Sequence, residues 1–260
     1  MSKPIKELTI STANSIKYVL CDIDDTLTTG GKLTAEAYSA LWELHNAGIP
    51  VVPVTGRPAG WCDMIIREWP VSGVVGENGA FAFYMSGGHV QTLLHPETVT
   101  DAQARLEKVR DRVLSEVEGS RVARDQFSRI YDLAIDFRED PPYLTYDDAK
   151  RIRDICVSMG AEAKISSIHV NTWFGNYDKL SMSLMLLKDV FGEQDPESSS
   201  IFFGDSPNDE PMFEHFPITC AVANILPFMD EIKYPPTYIT EAEGGAGFTE
   251  AVRLILLKRG

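Results

Sequence analysis

Two carboxylates close an apolar run near the amino end of the chain. Tyr18-Val19-Leu20-Cys21-Asp22-Ile23-Asp24-Asp25-Thr26-Leu27 reads as a short buried strand that stops on Asp22, Asp24 and Asp25. Strand interiors avoid Asp, and buried carboxylates are costly unless something neutralises them. Asp22 and Asp24 stand two apart, so continued strand geometry predicts that both leave one face at the strand's carboxyl end. In open α/β sheets that end is where ligands bind. Clustered carboxylates repel unless a cation or a shared proton relieves them. Such a pair can supply a metal-assisted nucleophile and an acid/base group. The same residues also suit a solvated acidic turn, and Asp-x-Asp runs occur in glycosyltransferases and in ordinary loops.

The elements that must hold this pair follow in chain order. Residues 1–15 are polar and read as a loose lead-in. Thr34 caps a predicted helix from Ala35 to Ala47, stopped at Gly48. A strand over 49–54 ends on Thr55-Gly56-Arg57-Pro58, and a helix over 59–68 follows. Val71–Val75 is a third strand, running into Glu77-Asn78-Gly79-Ala80. Alternating strands and helices predict a parallel sheet with crossover helices. The rhythm then breaks. A hairpin over 81–94, amphipathic helices over 101–118 and 146–159, and strands near 121–123, 130–137, 163–165 and 167–174 predict an α+β insertion. Crossover rhythm resumes at Asp178-Lys179, with a helix over 180–191 and a strand Ile201-Phe202-Phe203 ending in Gly204-Asp205-Ser206-Pro207-Asn208-Asp209. Short strands over 218–222 and 238–239, a Gly244-Gly245-Ala246-Gly247 loop and a terminal helix over 248–258 complete the chain.

The chain of 260 residues suits one large domain or a core with an insertion. Its formal charge of −14, from 24 basic against 38 acidic residues, disfavours nonspecific binding to nucleic acid or anionic membrane. A few local cations can still hold a small anionic substrate. Cys21, Cys62, Cys156 and Cys220 form no Cys-x-x-Cys pair and read as buried thiols. No charged leader precedes an apolar stretch, and no run approaches a membrane span, so a cytoplasmic protein is expected. Oligomeric state is not legible.

Four polar clusters fall at strand ends or a helix start: Asp22/Asp24, Thr55/Arg57, Lys179, and Asp205/Asn208/Asp209. Separately, each suits a turn, a cap or a surface charge. Together and in this order they resemble the haloacid dehalogenase superfamily of phosphohydrolases. That family's first motif, DxDxT, is matched by Asp22, Asp24 and Thr26. Its Thr or Ser after a strand is matched by Thr55, its Lys by Lys179, and its GDxxND-type cluster by Asp205, Asn208 and Asp209. The resemblance covers nearly the whole chain. About 95 residues separate Glu77-Asn78-Gly79-Ala80 from Lys179, where the family's type-two cap sits. The cap's size and two-helix content look like subclass IIB, which includes Cof-like sugar phosphatases, sucrose-phosphate phosphatase and eukaryotic phosphomannomutase. The implied fold is a Rossmann-like α/β core over 1–83 and 175–260, with a parallel sheet and helices on both faces, and a cap over 84–174. Asp25 departs from the pattern, standing where the family usually has Gly.

The resemblance implies a chemistry. Asp22 attacks a phosphate monoester in line, and Asp24 protonates the leaving oxygen and later activates water. Mg²⁺ is expected on Asp22, Asp205 and the backbone carbonyl of Asp24, with Asp209 orienting Lys179 or a metal-bound water. Thr55, the backbone at Gly56, Lys179 and Asn208 are the expected phosphoryl contacts, with Arg57 a further candidate for the substrate. The expected partner is a small phosphorylated metabolite, a sugar phosphate above all. The alternative is a phosphomutase or phosphotransferase, whose cap needs extra arginines facing the site; Arg121, Arg124 and Arg129 are the candidates. A dinucleotide-binding protein would need Gly where the Asp run stands, and a phosphoacceptor receiver would be about half this length. A binding module that has lost its chemistry would lack a catalytic position, and none is missing. For specificity, Ser167, His169, Asn171 and Trp173 alternate onto one strand face. His169 and Asn171 are expected to bond substrate hydroxyls, with Arg129 as a third cap candidate, against the alternative of a solvent-facing strand.

Overall fold

The computed structural model describes residues 2–166 and 168–259. Its centre is a parallel sheet in which Tyr18–Cys21 lies between Ser200–Gly204 and Val51–Pro53. Thr219–Ala221, Tyr238–Ile239 and Lys3–Pro4 extend it beyond Ser200–Gly204, all parallel. On the other side, Val54 bridges Val75 in parallel, so Gly73–Gly76 continues the same layer. The first long strand thus has later strands on both sides, which makes its carboxyl end a topological switch point.

Side-chain alternation builds a core on each face. Val19, Cys21, Val51, Ile201 and Phe203 point into one cluster, closed by Leu41, Leu44, Ile65, Phe248 and Val252 from helices. Leu20, Val52, Val54 and Phe202 point into the other, with Met182, Leu186, Met212 and Phe213. Strands buried on both faces read as continuous apolar runs, as these do. The α/β core with helices on both faces therefore matches the expectation.

Two ends of the chain differ from it. The lead-in is structured: Lys3–Pro4 pairs with Tyr238–Ile239, Ile10–Ser15 is helical, and Ile5, Leu8 and Ala13 are buried. Its apolar residues are too few for a visible period, but each is placed by long-range packing. The late glycine run is no loop either, because Gly244–Arg259 is one helix. A Cβ on Gly245 would stand 2.7 Å from the Leu27 carbonyl. These glycines allow a helix start to pack against the backbone that follows the catalytic strand.

The middle block has its own core. Arg121–Val122, Asp132–Asp136, His169–Trp173 and Glu162–Ile165 form an antiparallel sheet. The helices Gln103–Glu116 and Tyr146–Ser158 bury Leu106, Val109, Val113, Ile152 and Cys156 against it. Thr145 and Asp148 form a reciprocal capping box. The hairpin Phe81–Ser86 and His89–Leu94 stays with the core, paired to Gly73–Gly76. Residues 84–94, assigned to the insertion by a boundary after 83, therefore pack with the core sheet. The strand pairing of Phe81 to Ser86 runs unbroken through that boundary.

Candidate active site

The catalytic strand ends at Cys21, and the chain then turns sharply. Asp25 sits at φ 58, in the left-handed region that Gly prefers and Asp tolerates. This accounts for the family's Gly at that place. Strand alternation does not continue through Asp24, so the two acids diverge. Asp22 accepts from Lys179 Nζ at 2.7 Å and from the Ile23 N–H at 2.7 Å. Asp24 accepts from Arg57 Nε at 3.1 Å and Arg57 Nη2 at 2.5 Å, a bidentate pair. The guanidinium also lies 4.2 Å over the Trp61 ring. Arg57, a candidate for the substrate, lines the cavity and is Asp24's partner. Both acids line one cavity with Lys179, Asp205, Asn208 and Gly56.

Asp22, Asp205 and Asp209 converge, each offering an oxygen within 4.8 Å of the others. Asp205 accepts from Thr26 Oγ1 at 3.0 Å, which gives the DxDxT threonine a clear task. Asp209 takes the backbone N–H groups of Asp205 and Ser206 on one oxygen. Its other oxygen, Oδ1, is buried without a hydrogen bond, 3.6 Å from Lys179 Nζ. Burial pushes Asp22 up to about 7; Lys179 opposes this, while Asp209 and Asp24 add to it. Burial and the charge of Asp209 likewise hold Asp205 well above the usual carboxylate range. One lysine faces three acids, so the cluster has room for a divalent cation, and hard oxygen donors suit Mg²⁺. Asp24, expected at the metal through its backbone carbonyl, turns its carboxylate to Arg57, outside this group.

Thr55 is buried and is not among the cavity-lining residues; its Oγ1 accepts from the Arg57 N–H at 3.1 Å. Lys179 is set by a close approach. Gly79, at φ +107, lies so near Asp178 that a Cβ would stand 2.0 Å from its carbonyl oxygen. Asp178 caps the Lys179–Met185 helix, so the Glu77-Asn78-Gly79 turn seats the lysine.

That turn also carries the joint between core and insertion, which the sequence reading missed. Glu77, fully buried at φ 42, accepts from the N–H groups of Ile130, Tyr131 and Asp132 across the joint, and from Ala59 in the core. Beside it, Asp132 accepts from Arg129 Nη1 at 3.0 Å, Asn171 Nδ2 at 3.1 Å and Asn78 Nδ2 at 3.3 Å. Arg129 and Asn171 both donate on to the Gly56 carbonyl. The signal was an acid before Asn-Gly in a turn following an apolar strand.

The cap candidates are therefore brought to the cavity but are already engaged. His169 Nε2 lies 2.9 Å from Glu139 Oε2. His169 and Asn171 are 5% and 4% exposed, so the strand faces the core and not solvent. Arg129 follows a short 3-10 turn, not a strand, and pairs with Asp125 and Asp132. Ser167 lies outside the described residues. Arg121 holds Asp136 and the Asp140 carbonyl, and Arg124 is exposed beside Asp140; neither lines the cavity. The four cysteines are buried free thiols, as expected. No helix among the described residues is long and apolar enough to cross a membrane.

An acidic cluster and a lysine at a switch point of a parallel sheet, under an α+β insertion, define a capped site on an α/β core. The haloacid dehalogenase-like hydrolase family model matches residues 19–181, and the chain belongs to that family. It is 28% identical over 241 residues to a phosphoglycolate phosphatase of Methanothermobacter thermautotrophicus, covering 92% of this chain and 98% of that one. The fold is similar to that of a Thermoplasma acidophilum protein, with TM-score 0.74, 18% identity and coverage of 93% and 99%. It is also similar to a sugar phosphatase of haloacid dehalogenase subclass IIB, with TM-score 0.64, 16% identity and coverage of 91% and 98%.

Proposed function

We propose that the protein is a Mg²⁺-dependent phosphatase that hydrolyses a small phosphate monoester through an aspartyl-phosphate. The observation that carries this is the buried convergence of Asp22, Asp205 and Asp209, two of them paired to one lysine, with one Asp209 oxygen left without a hydrogen bond. Buried carboxylates in such excess need a cation. Asp22, Asp205 and Asp209 are the residues that would hold Mg²⁺, whose charge offsets that of the phosphoryl oxygens.

Asp22 is the nucleophile. Its free lone pair attacks phosphorus opposite the ester oxygen, forming the Asp22 O–P bond as the P–O ester bond breaks. Asp24 donates a proton to the departing alkoxide. It then takes a proton from water as that water attacks phosphorus, releasing inorganic phosphate and restoring Asp22. Arg57 occupies both oxygens of Asp24, so the acid must leave Arg57 to reach the leaving group. Lys179 stays beside Asp22 and offsets phosphoryl charge, with Asn208 and the Gly56 backbone at the cavity wall.

The phosphomutase alternative loses two of its three cap arginines to positions away from the cavity, and the third to a buried ion pair. We take the division into core and cap to run near residues 95–101 and 174–178, where the insertion's own core begins and ends. The test is release of inorganic phosphate from an aryl phosphate and from a panel of sugar and hydroxy-acid phosphates, with and without EDTA. Turnover that persists in EDTA, or isomer formation without phosphate release, would refute the reading.

A further inference from the structure

Among the described residues, the cations that line the cavity are paired with one exception. Arg57 is held by Asp24, Arg129 by Asp125 and Asp132, and Lys179 by Asp22. Lys164 also lines the cavity, and among the described residues it has no ion pair or hydrogen bond through its side chain. Its place is set by register. In the antiparallel pair, Lys164 stands opposite Asn171, so the two side chains leave the same face of the insertion's sheet. Asn171 confirms which face that is, because its amide reaches the Gly56 carbonyl in the core. A half-buried ammonium without an acceptor is costly unless something anionic arrives.

The space beside it is small. The cavity volume is about 60 Å³, room for a handful of waters. The two cap side chains expected to bond sugar hydroxyls are committed: Asn171 to Gly56 and Asp132, His169 to Glu139. Lys164 is the cation in the lining that is uncommitted among the described residues.

Resting on the phosphatase reading, we propose that Lys164 is a specificity residue that binds a carboxylate on the leaving group. The preferred substrate class is then short phosphorylated hydroxy acids over neutral sugar phosphates. A carboxylate two or three atoms from the ester oxygen would meet the Lys164 ammonium while the phosphoryl group lies at Asp22 and Lys179. Polar sites built to match a group discriminate strongly against analogues that lack it.

The test compares 2-phosphoglycolate with 2-hydroxyethyl phosphate, which has a hydroxymethyl group in place of the carboxylate, using the Mg²⁺-loaded full chain. Wild type should prefer the acid by at least about tenfold in kcat/KM, the range of a charge-assisted contact. Lys164→Met should collapse that preference mainly through KM, and Lys164→Arg should restore part of it. Equal losses on both substrates would make Lys164 a phosphoryl contact and overturn the proposal, as would a wild type that prefers the neutral ester. Binding is read separately, as the shift in melting temperature caused by each ester. If wild type releases phosphate from neither ester nor from an aryl phosphate, the phosphatase reading fails. The carboxylate-dependent shift, present in wild type and absent in Lys164→Met, then still decides the role of Lys164. Should Lys164→Met not fold, Lys164→Gln and the wild-type preference carry the same comparison.

Discussion

Two groups of buried carboxylates bond to residues that line the cavity, one at the joint between core and insertion and one at the catalytic strand end. At the joint, Glu77 and Asp132 are surrounded by donors: backbone N–H groups from both sides, the Arg129 guanidinium and two side-chain amides. At the catalytic strand end, Asp22, Asp205 and Asp209 share one lysine, one threonine hydroxyl and three backbone N–H groups, and one oxygen has no hydrogen bond. Burial alone does not separate the two groups. Satisfaction does. A saturated carboxylate is a fastener, since its lone pairs are already spent holding two layers together. An under-saturated one keeps lone pairs for a metal and for attack on phosphorus.

The comparison can be broken by substitution in either group. Asp22→Asn should lower turnover of every substrate by roughly ten-thousandfold or more, as removal of a nucleophile does. The melting temperature should hold or rise, because one of several repelling charges is gone. Loss of the fold would instead make Asp22 a fastener. Glu77→Gln is the opposite case. Its NH₂ would face backbone donors, and unfolding in urea should show a loss of about 3 kcal/mol. Activity in the folded fraction should fall far less than in Asp22→Asn. An unchanged urea midpoint would remove Glu77 from the joint.

Metal sharpens the contrast. Mg²⁺ at about a hundred times its dissociation constant should stabilise the protein by about 2.7 kcal/mol, seen as a rise in melting temperature. Asp205→Asn should abolish that rise, and Glu77→Gln should keep it.

Proton linkage gives an effect with a definite sign. The folded Asp22 value of about 7 lies above the unfolded value near 3.9. The folded state therefore binds the proton more tightly between those limits. The contribution of Asp22 to stability in EDTA should fall as pH rises from about 4 to 7, by at most about 1.4 kcal/mol per unit, and level off above 7. Urea melts of wild type and Asp22→Asn across that range would read it. The same slope in both proteins would contradict it.

The smallest effect concerns the cap strand. With its amide engaged at Gly56 and Asp132, Asn171→Ala should lower kcat/KM about equally for an aryl phosphate and for the best natural ester. A loss confined to the natural ester would return Asn171 to direct substrate recognition.

Local pattern made much of this molecule legible. Thr34 and Thr145 announce helix starts, and each side chain does accept from the N–H three residues on. The helix over 59–68 follows from apolar spacing after Pro58. The order of the Asp, Thr, Lys and Asp clusters located the site, because each sits where a buried strand or a capped helix turns polar. Those features depend on near neighbours, which the linear order records. The glycine run at 244–247 shows the limit: its composition suggests a loop, while close packing against residues 27–29 makes it a helix start. The partner of Asp24 was equally hidden, since Arg57 reaches it only because two parallel strands end side by side. So was the difference between Asn171, which is spent, and Lys164, which is free to act, because that depends on how the insertion's sheet lies over the core. Residue types determine which chemistry is available; only the tertiary structure decides which of those groups have already found partners.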